Sequence, residues 1–219
     1  MPNPETYQLL LDESKIHKAT LLVVSKTRTE AEILSIYRLG QRIFGENRAQ
    51  ELIVKAALLP ADIEWHLIGH LQTNKVKSII QYVNCVQSLD SLKLWQKMDE
   101  EAKEACKAIN CLLQIKIAEE ETKYGWEINE LEKVLKSGLH IAFSNIKICG
   151  VMGMASLTSN IEQVRAEMQQ LKHVFDSFKQ KYFSETDQFA ILSMGMSGDY
   201  TIALEEGSNM IRVGSLVFE

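Results

Sequence analysis

Three stretches of the chain combine residue types that do chemistry. Lys26 closes the branched apolar run TLLVVSK, residues 20–26. Arg212 lies in MIRV, residues 210–213, and is followed at once by Gly214 and Ser215. SMGMSGD, residues 193–199, sets two glycines and two serines around a turn. An amine held at the rim of a dry core is nucleophilic at neutral pH, because desolvation disfavours its charged form. Backbone N–H groups and serine hydroxyls in Gly/Ser loops cradle a phosphate, although ordinary turns use the same residues. Period-two alternation puts Leu22, Val24 and Lys26 on one strand face, with Leu21, Val23 and Ser25 on the other. If Leu22 and Val24 point inward, Lys26 caps the interior they fill.

The elements that must position these groups alternate regularly. Apolar runs predict strands at 20–26, 42–46, 63–69, 83–88, 111–117, 146–152, 188–193 and 210–213. Amphipathic stretches predict helices at about 5–17, 29–39, 47–58, 73–81, 90–107, 126–137 and 160–181. Thr29 and Glu32 have capping-box spacing, Asp90 reads as an N-cap, and Gly138 reads as the glycine that ends a helix. Eight strands alternating with helices fit a doubly wound sheet or a closed barrel. The strand count and the lack of a GxGxxG turn after the first strand favour the barrel. The expectation is one α/β domain over residues 1–219, a (β/α)8 TIM-type barrel with an extra N-terminal helix. Active sites of such barrels form where strands end at their C-terminal side, and the loops after strands seven and eight often hold phosphate. Strands one and eight are neighbours in a closed barrel, so the amine and the phosphate cradle share one mouth. An amine, a phosphate site and an arginine together suit pyridoxal 5′-phosphate (PLP), with Lys26 as Schiff base and Arg212 facing the pyridine nitrogen. Glu46 and Asn47 are expected at the same rim.

Other classes are disfavoured. A net charge of −5 argues against broad electrostatic binding to nucleic acid. No apolar run approaches the ~20 residues that span a membrane, and the N-terminus has no basic segment followed by an apolar one. Cys85, Cys106, Cys111 and Cys149 form no CxxC pair and sit in apolar surroundings, which predicts buried free thiols and a reducing cytoplasm. His66 and His70 lack a third ligand at zinc spacing. Glu119, Glu120 and Glu121 read as a solvated loop, with Glu121 or Lys123 near the site. A bland alternative for Arg212 is a structural ion pair with a carboxylate such as Glu46.

The segments VVSKT, FGENRAQE, EWHLIGHLQTNK, EEETKYG, ILSMGMSGDY and EEGSNMIRVG stand in this order from about residue 21 to 217. Together they resemble the pyridoxal-phosphate homeostasis protein family (YggS/PROSC-like), related to the barrel domain of alanine racemase. The resemblance implies a PLP-binding barrel of fold type III, with Lys26 forming the internal aldimine. It implies Asn47 near the ring, and Ser197, Gly214 and Ser215 at the phosphate. It sets Arg212 against the ring nitrogen, with Met194 and His70 lining the pocket. Asn209 stands where the family usually has threonine, and Lys116 where asparagine is usual. The function implied is that of a PLP holder in vitamin B6 homeostasis with little or no turnover, cytoplasmic and monomeric, with transient contacts to PLP-dependent enzymes. Two alternatives remain open: a slow amino-acid racemase on the same site, and a Schiff-base aldolase using Lys26 without cofactor.

Overall fold

The computed structural model describes residues 2–118, 120 and 124–219. Eight parallel strands close into a barrel in sequence order. They are β1 (Thr20–Val24), β2 (Ile43–Glu46), β3 (Glu64–Leu67), β4 (Cys85–Leu89), β5 (Ile109–Gln114), β6 (Ile146–Met152), β7 (Ile191–Ser193) and β8 (Met210–Val213). The helices are α1 (Pro4–Ile16), α2 (Glu30–Tyr37), α3 (Ala49–Leu58), α4 (Val76–Ile79), α5 (Leu92–Glu104), α6 (Ile128–Lys136), α7 (Ile161–Tyr182), α8 (Tyr200–Glu205) and α9 (Ser215–Phe218). The expected barrel and its extra N-terminal helix are therefore present. Glu121 and Lys123 lie outside the described residues.

Alternation along each strand sorts the apolar residues into two layers. Leu21 and Val23 join the large core between strands and helices. Leu22 and Val24 turn inward to meet Met210 inside the barrel, while Cys85, Leu112 and Met152 fill the other half of the interior. The helices bury one stripe each: α7 covers the barrel with Val164, Met168, Leu171, Val174, Phe175 and Phe178. Local signals set the ends as expected at two helices. Thr29 and Glu32 form a complete capping box on α2, and Gly138, at φ +72°, follows α6 in the left-handed conformation.

Four expectations need correction. β1 stops at Val24, because Ser25 to Arg28 bend into a turn closed by the Arg28 N–H donating to the Ser25 carbonyl at 3.0 Å. The predicted helix at 73–81 is a 3₁₀ turn over Thr73–Lys75 followed by the single turn of α4. Helix α5 is capped by Ser91, whose hydroxyl accepts from the Leu94 N–H, and not by Asp90. The four thiols are free, but only Cys85 and Cys111 are buried; Cys106 is exposed and Cys149 half-buried.

Candidate functional site

A cavity of about 540 Å³ opens at the C-terminal end of the barrel. It brings together Lys26, Asn47, His70, Ser197, Arg212, Gly214 and Ser215, seven residues singled out from sequence. Met194 is not among its lining residues. It continues the alternation of β7 outward, into the core between barrel and helices, and Met154 and Met196 line the cavity in its place.

The β1 side presents an amine. Lys26 occupies the second position of the turn, and Thr27 the third at φ +63°. That arrangement matches a type II turn, which ordinarily takes glycine or asparagine at the third position. A β-branched residue there costs on the order of 1–3 kcal/mol, and the Glu51 carboxylate secures it by accepting from the Thr27 N–H at 3.2 Å. Lys26 is exposed, so the expectation of an amine made nucleophilic by burial is corrected. The strand ends two residues early, and the turn lifts the side chain out of the core. Beneath the turn lies a buried charge pair. Lys55 Nζ donates to Glu46 at 2.7 Å and to the Ser25 carbonyl at 2.8 Å, while the Ser25 hydroxyl donates to the same carboxylate oxygen at 2.6 Å. Burial pushes the Glu46 carboxyl up, against the hydrogen bonds from Lys55 and Ser25. Glu46 therefore belongs to the floor under the rim, not the rim itself. Asn47, next in sequence, is exposed in the cavity, and its carbonyl lies 2.3 Å from where a Cβ on Gly69 would stand. Only glycine lets the loops after β2 and β3 approach so closely.

The β7–β8 side presents a different cation. Arg212 pairs in register with Leu22 of β1, so its side chain also points into the barrel. Nη1 donates to the Ser193 hydroxyl at 2.6 Å and Nη2 to the Gly153 carbonyl at 2.9 Å. Among the described residues, no carboxylate pairs with it, so the ion pair with Glu46 does not form. Burial lowers its pKa from the ordinary arginine range to about 10, with Asp199 opposing; the guanidinium is still charged at neutral pH. Beside it, the Ser197 hydroxyl accepts from the Gly214 N–H at 3.4 Å. A Cβ on Gly214 would meet the Val24 carbonyl at 2.8 Å, so this cradle tolerates no side chain at that position. A buried cation held among the described residues by neutral oxygens, next to hydroxyls and backbone N–H groups, fits an anionic ligand.

Residues 8–219 match the family model for the alanine racemase N-terminal domain. The pyridoxal phosphate homeostasis protein of Aquifex aeolicus is 36% identical over 201 residues, covering 91% of this chain and 86% of that one. The chain belongs to the pyridoxal phosphate homeostasis protein family. The family's Escherichia coli member is 30% identical over 203 residues, covering 91% of this chain and 84% of that one. PipY of Synechococcus elongatus, solved with PLP bound, superposes with a TM-score of 0.86 at 32% identity, over 98% of this chain and 99% of that one. An alanine racemase of Clostridium difficile shares the fold, with a TM-score of 0.75 at 16% identity, over 99% of this chain and 56% of that one.

Asn209 and Lys116, set apart above from the pattern the resemblance implies, have structural work. Asn209 accepts from the Leu192 N–H at 2.7 Å and donates to the Ala190 carbonyl at 2.6 Å, tying β7 to β8. Lys116 pairs with Glu127 at 3.2 Å. Sequence reasoning missed a further polar set. His70 Nδ1 hydrogen-bonds to the Asp90 carboxylate at 2.7 Å, and the imidazole stacks on Tyr124 with centroids 3.8 Å apart. Inside the barrel, Ser193, Gln87 and His66 form a hydrogen-bonded row ending at Arg212. Serine, glutamine and histidine inside strands do carry a signal: buried polar groups need partners. The sequence does not say which partners.

Proposed function

We propose that this chain binds PLP at the barrel mouth and serves vitamin B6 homeostasis by holding the cofactor and releasing it, with little or no turnover. Lys26 would hold the aldehyde carbon as a Schiff base. Ser197, Gly214 and Ser215 would take the phosphate, Arg212 would face the pyridine nitrogen, and Asn47 and His70 would border the ring. The observation that carries this reading is the cavity itself: an exposed amine on the turn after β1 and a buried cation on the neighbouring β8, which no carboxylate pairs with among the described residues, both face it. The PLP-bound PipY relative supports it. An arginine against the ring nitrogen also gives a reason for weak catalysis. A second adjacent cation is repelled, so the nitrogen stays unprotonated and the ring withdraws electrons poorly.

Purified protein mixed with PLP should develop an absorbance band of the lysine-bound cofactor that Lys26→Ala abolishes. Persistence of that band in the variant contradicts the assignment. One observation favours a second reading, slow amino-acid racemisation: His70, oriented by Asp90, places a second acid–base group on the same cavity. Racemisation of alanine well above free PLP, lost in His70→Gln, would decide for it. Among the described residues no helix is long and apolar enough to cross a membrane. The four free thiols support placing the protein in a reducing cytoplasm. Leu9 on α1, Val54 on α3 and Leu157 ahead of α7 are exposed apolar side chains on separate parts of the chain, which supports a monomer. Transfer of PLP to other enzymes would then proceed through transient encounters at the open mouth.

A further inference from the structure

Four buried polar side chains from four strands form a single row across the barrel interior. Arg212 Nη1 on β8 donates to the Ser193 hydroxyl on β7 at 2.6 Å. That hydroxyl donates to Gln87 Oε1 on β4 at 2.7 Å. Gln87 Nε2 meets His66 Nδ1 on β3 at 3.0 Å and also reaches the Met210 sulfur at 3.2 Å. Each of the four residues is buried, and the strand pairings hold them from opposite sides of the barrel.

The row has only one consistent direction. Arginine cannot accept, so Ser193 must accept from it and spend its own proton elsewhere. Gln87 Oε1 takes that proton, which turns the Gln87 amine toward His66 and requires His66 Nδ1 to accept. With the Gln87 amide reversed, the serine hydroxyl would face two donors and its proton would have no acceptor. Burial lowers the His66 pKa from 6.5 to about 4, so Nδ1 remains an acceptor at neutral pH. The donor N–H groups of Arg212 not used on Ser193 and Gly153 are left for the cavity it lines.

We propose that Ser193, Gln87 and His66 are positioning residues that fix the guanidinium plane of Arg212, and that this row sets how tightly the protein retains its cofactor. The second half rests on the reading of the mouth as a PLP site. None of the three residues lines the cavity, so their effect must pass through Arg212.

His66→Asn keeps an acceptor near the place of Nδ1, whereas His66→Leu removes it; Gln87→Met keeps the volume and ends the row. In the ligand-free protein, the side-chain N–H signals of Arg212, assigned by their loss in Arg212→Met, are read by ¹⁵N NMR. They should be sharp and slowly exchanging in the wild type and in His66→Asn, and broadened or lost in His66→Leu and Gln87→Met. PLP titrated by absorbance should bind those two variants about tenfold more weakly, the scale of one lost buried hydrogen bond, and His66→Asn within about twofold of wild type. Equal behaviour of His66→Asn and His66→Leu in both readouts overturns the proposal. So does wild-type binding by Gln87→Met with its Arg212 signals unchanged. If the wild type itself fails to bind PLP, the functional reading fails, and the NMR arm still decides whether the row fixes Arg212.

Discussion

Two buried cations lie under the barrel mouth, and they are treated differently. Lys55 meets a full negative charge: Glu46 at 2.7 Å, with Glu51 at 3.6 Å behind it. Among the described residues, Arg212 meets a hydroxyl and a carbonyl. The first cation is neutralised within the protein and ties the Ser25 carbonyl to α3, so its work is to hold the Lys26 turn in place. The second keeps its charge available. A buried cation that no carboxylate pairs with among the described residues is expensive to maintain, and the expense makes sense where a ligand, in the proposed site the lone pair of the ring nitrogen, supplies a further acceptor for its free N–H groups. The contrast separates a structural charge from a binding charge better than burial alone does.

Substitutions test that contrast. Lys55→Met strands Glu46, already without a partner on Oε2, and should cost about 3–5 kcal/mol of stability by chemical denaturation. Adding Glu46→Gln should recover much of it. If Lys55→Met unfolds no more easily than wild type, the pair is not what secures the turn. Acid should act on the other cluster. The His66 pKa falls from 6.5 in an unfolded chain to about 4 when folded, so the unfolded chain binds the extra proton between those values. Its contribution is fully present above pH 6.5 and is lost as pH falls toward 4, by up to about 3 kcal/mol. A stability–pH profile should therefore slope upward through this window, and His66→Asn should flatten it.

Arg212→Met should weaken PLP binding about a hundredfold, which equals about 2.7 kcal/mol, while leaving the ligand-free fold at least as stable, because a desolvated charge has been replaced by an apolar chain. An Arg212→Met protein that is markedly less stable yet binds PLP with wild-type affinity would reverse the roles assigned to the two cations. The smallest effect belongs to the turn. Thr27→Gly relieves a positive φ and should raise the denaturation midpoint by an amount corresponding to about 1 kcal/mol.

Much of this was legible in the chain. Alternation over TLLVVSK puts Leu22 and Val24 inside the barrel, as found, and the adjacency of the first and last strands brings Lys26 and Arg212 to one cavity. Glycine and serine after the last two strands mark a cradle whose tightness at Gly214 is a matter of backbone approach. Partner choice escaped. Asp90 looks like a helix cap because it precedes an amphipathic stretch; the cap is its neighbour Ser91, and Asp90 turns instead to His70, twenty residues away. Glu46 looks like a rim residue because it ends a strand, yet Lys55 on α3 draws it inward. Gln87 and Ser193 meet across 106 positions of sequence. Periodicity gives the face a side chain occupies, and only the closed barrel tells what stands opposite. Lys26 shows the limit in the other direction: alternation named the right face, but a turn two residues before the predicted strand end carried the amine into solvent.

The most direct measurement is chemical. Protein loaded with PLP is treated with borohydride, which converts a Schiff base into a stable secondary amine, then digested and sequenced by mass spectrometry. The account predicts the pyridoxyl adduct on Lys26, in the peptide that carries the β1 turn. An adduct confined to another lysine, or none on protein that has demonstrably bound PLP, would contradict it.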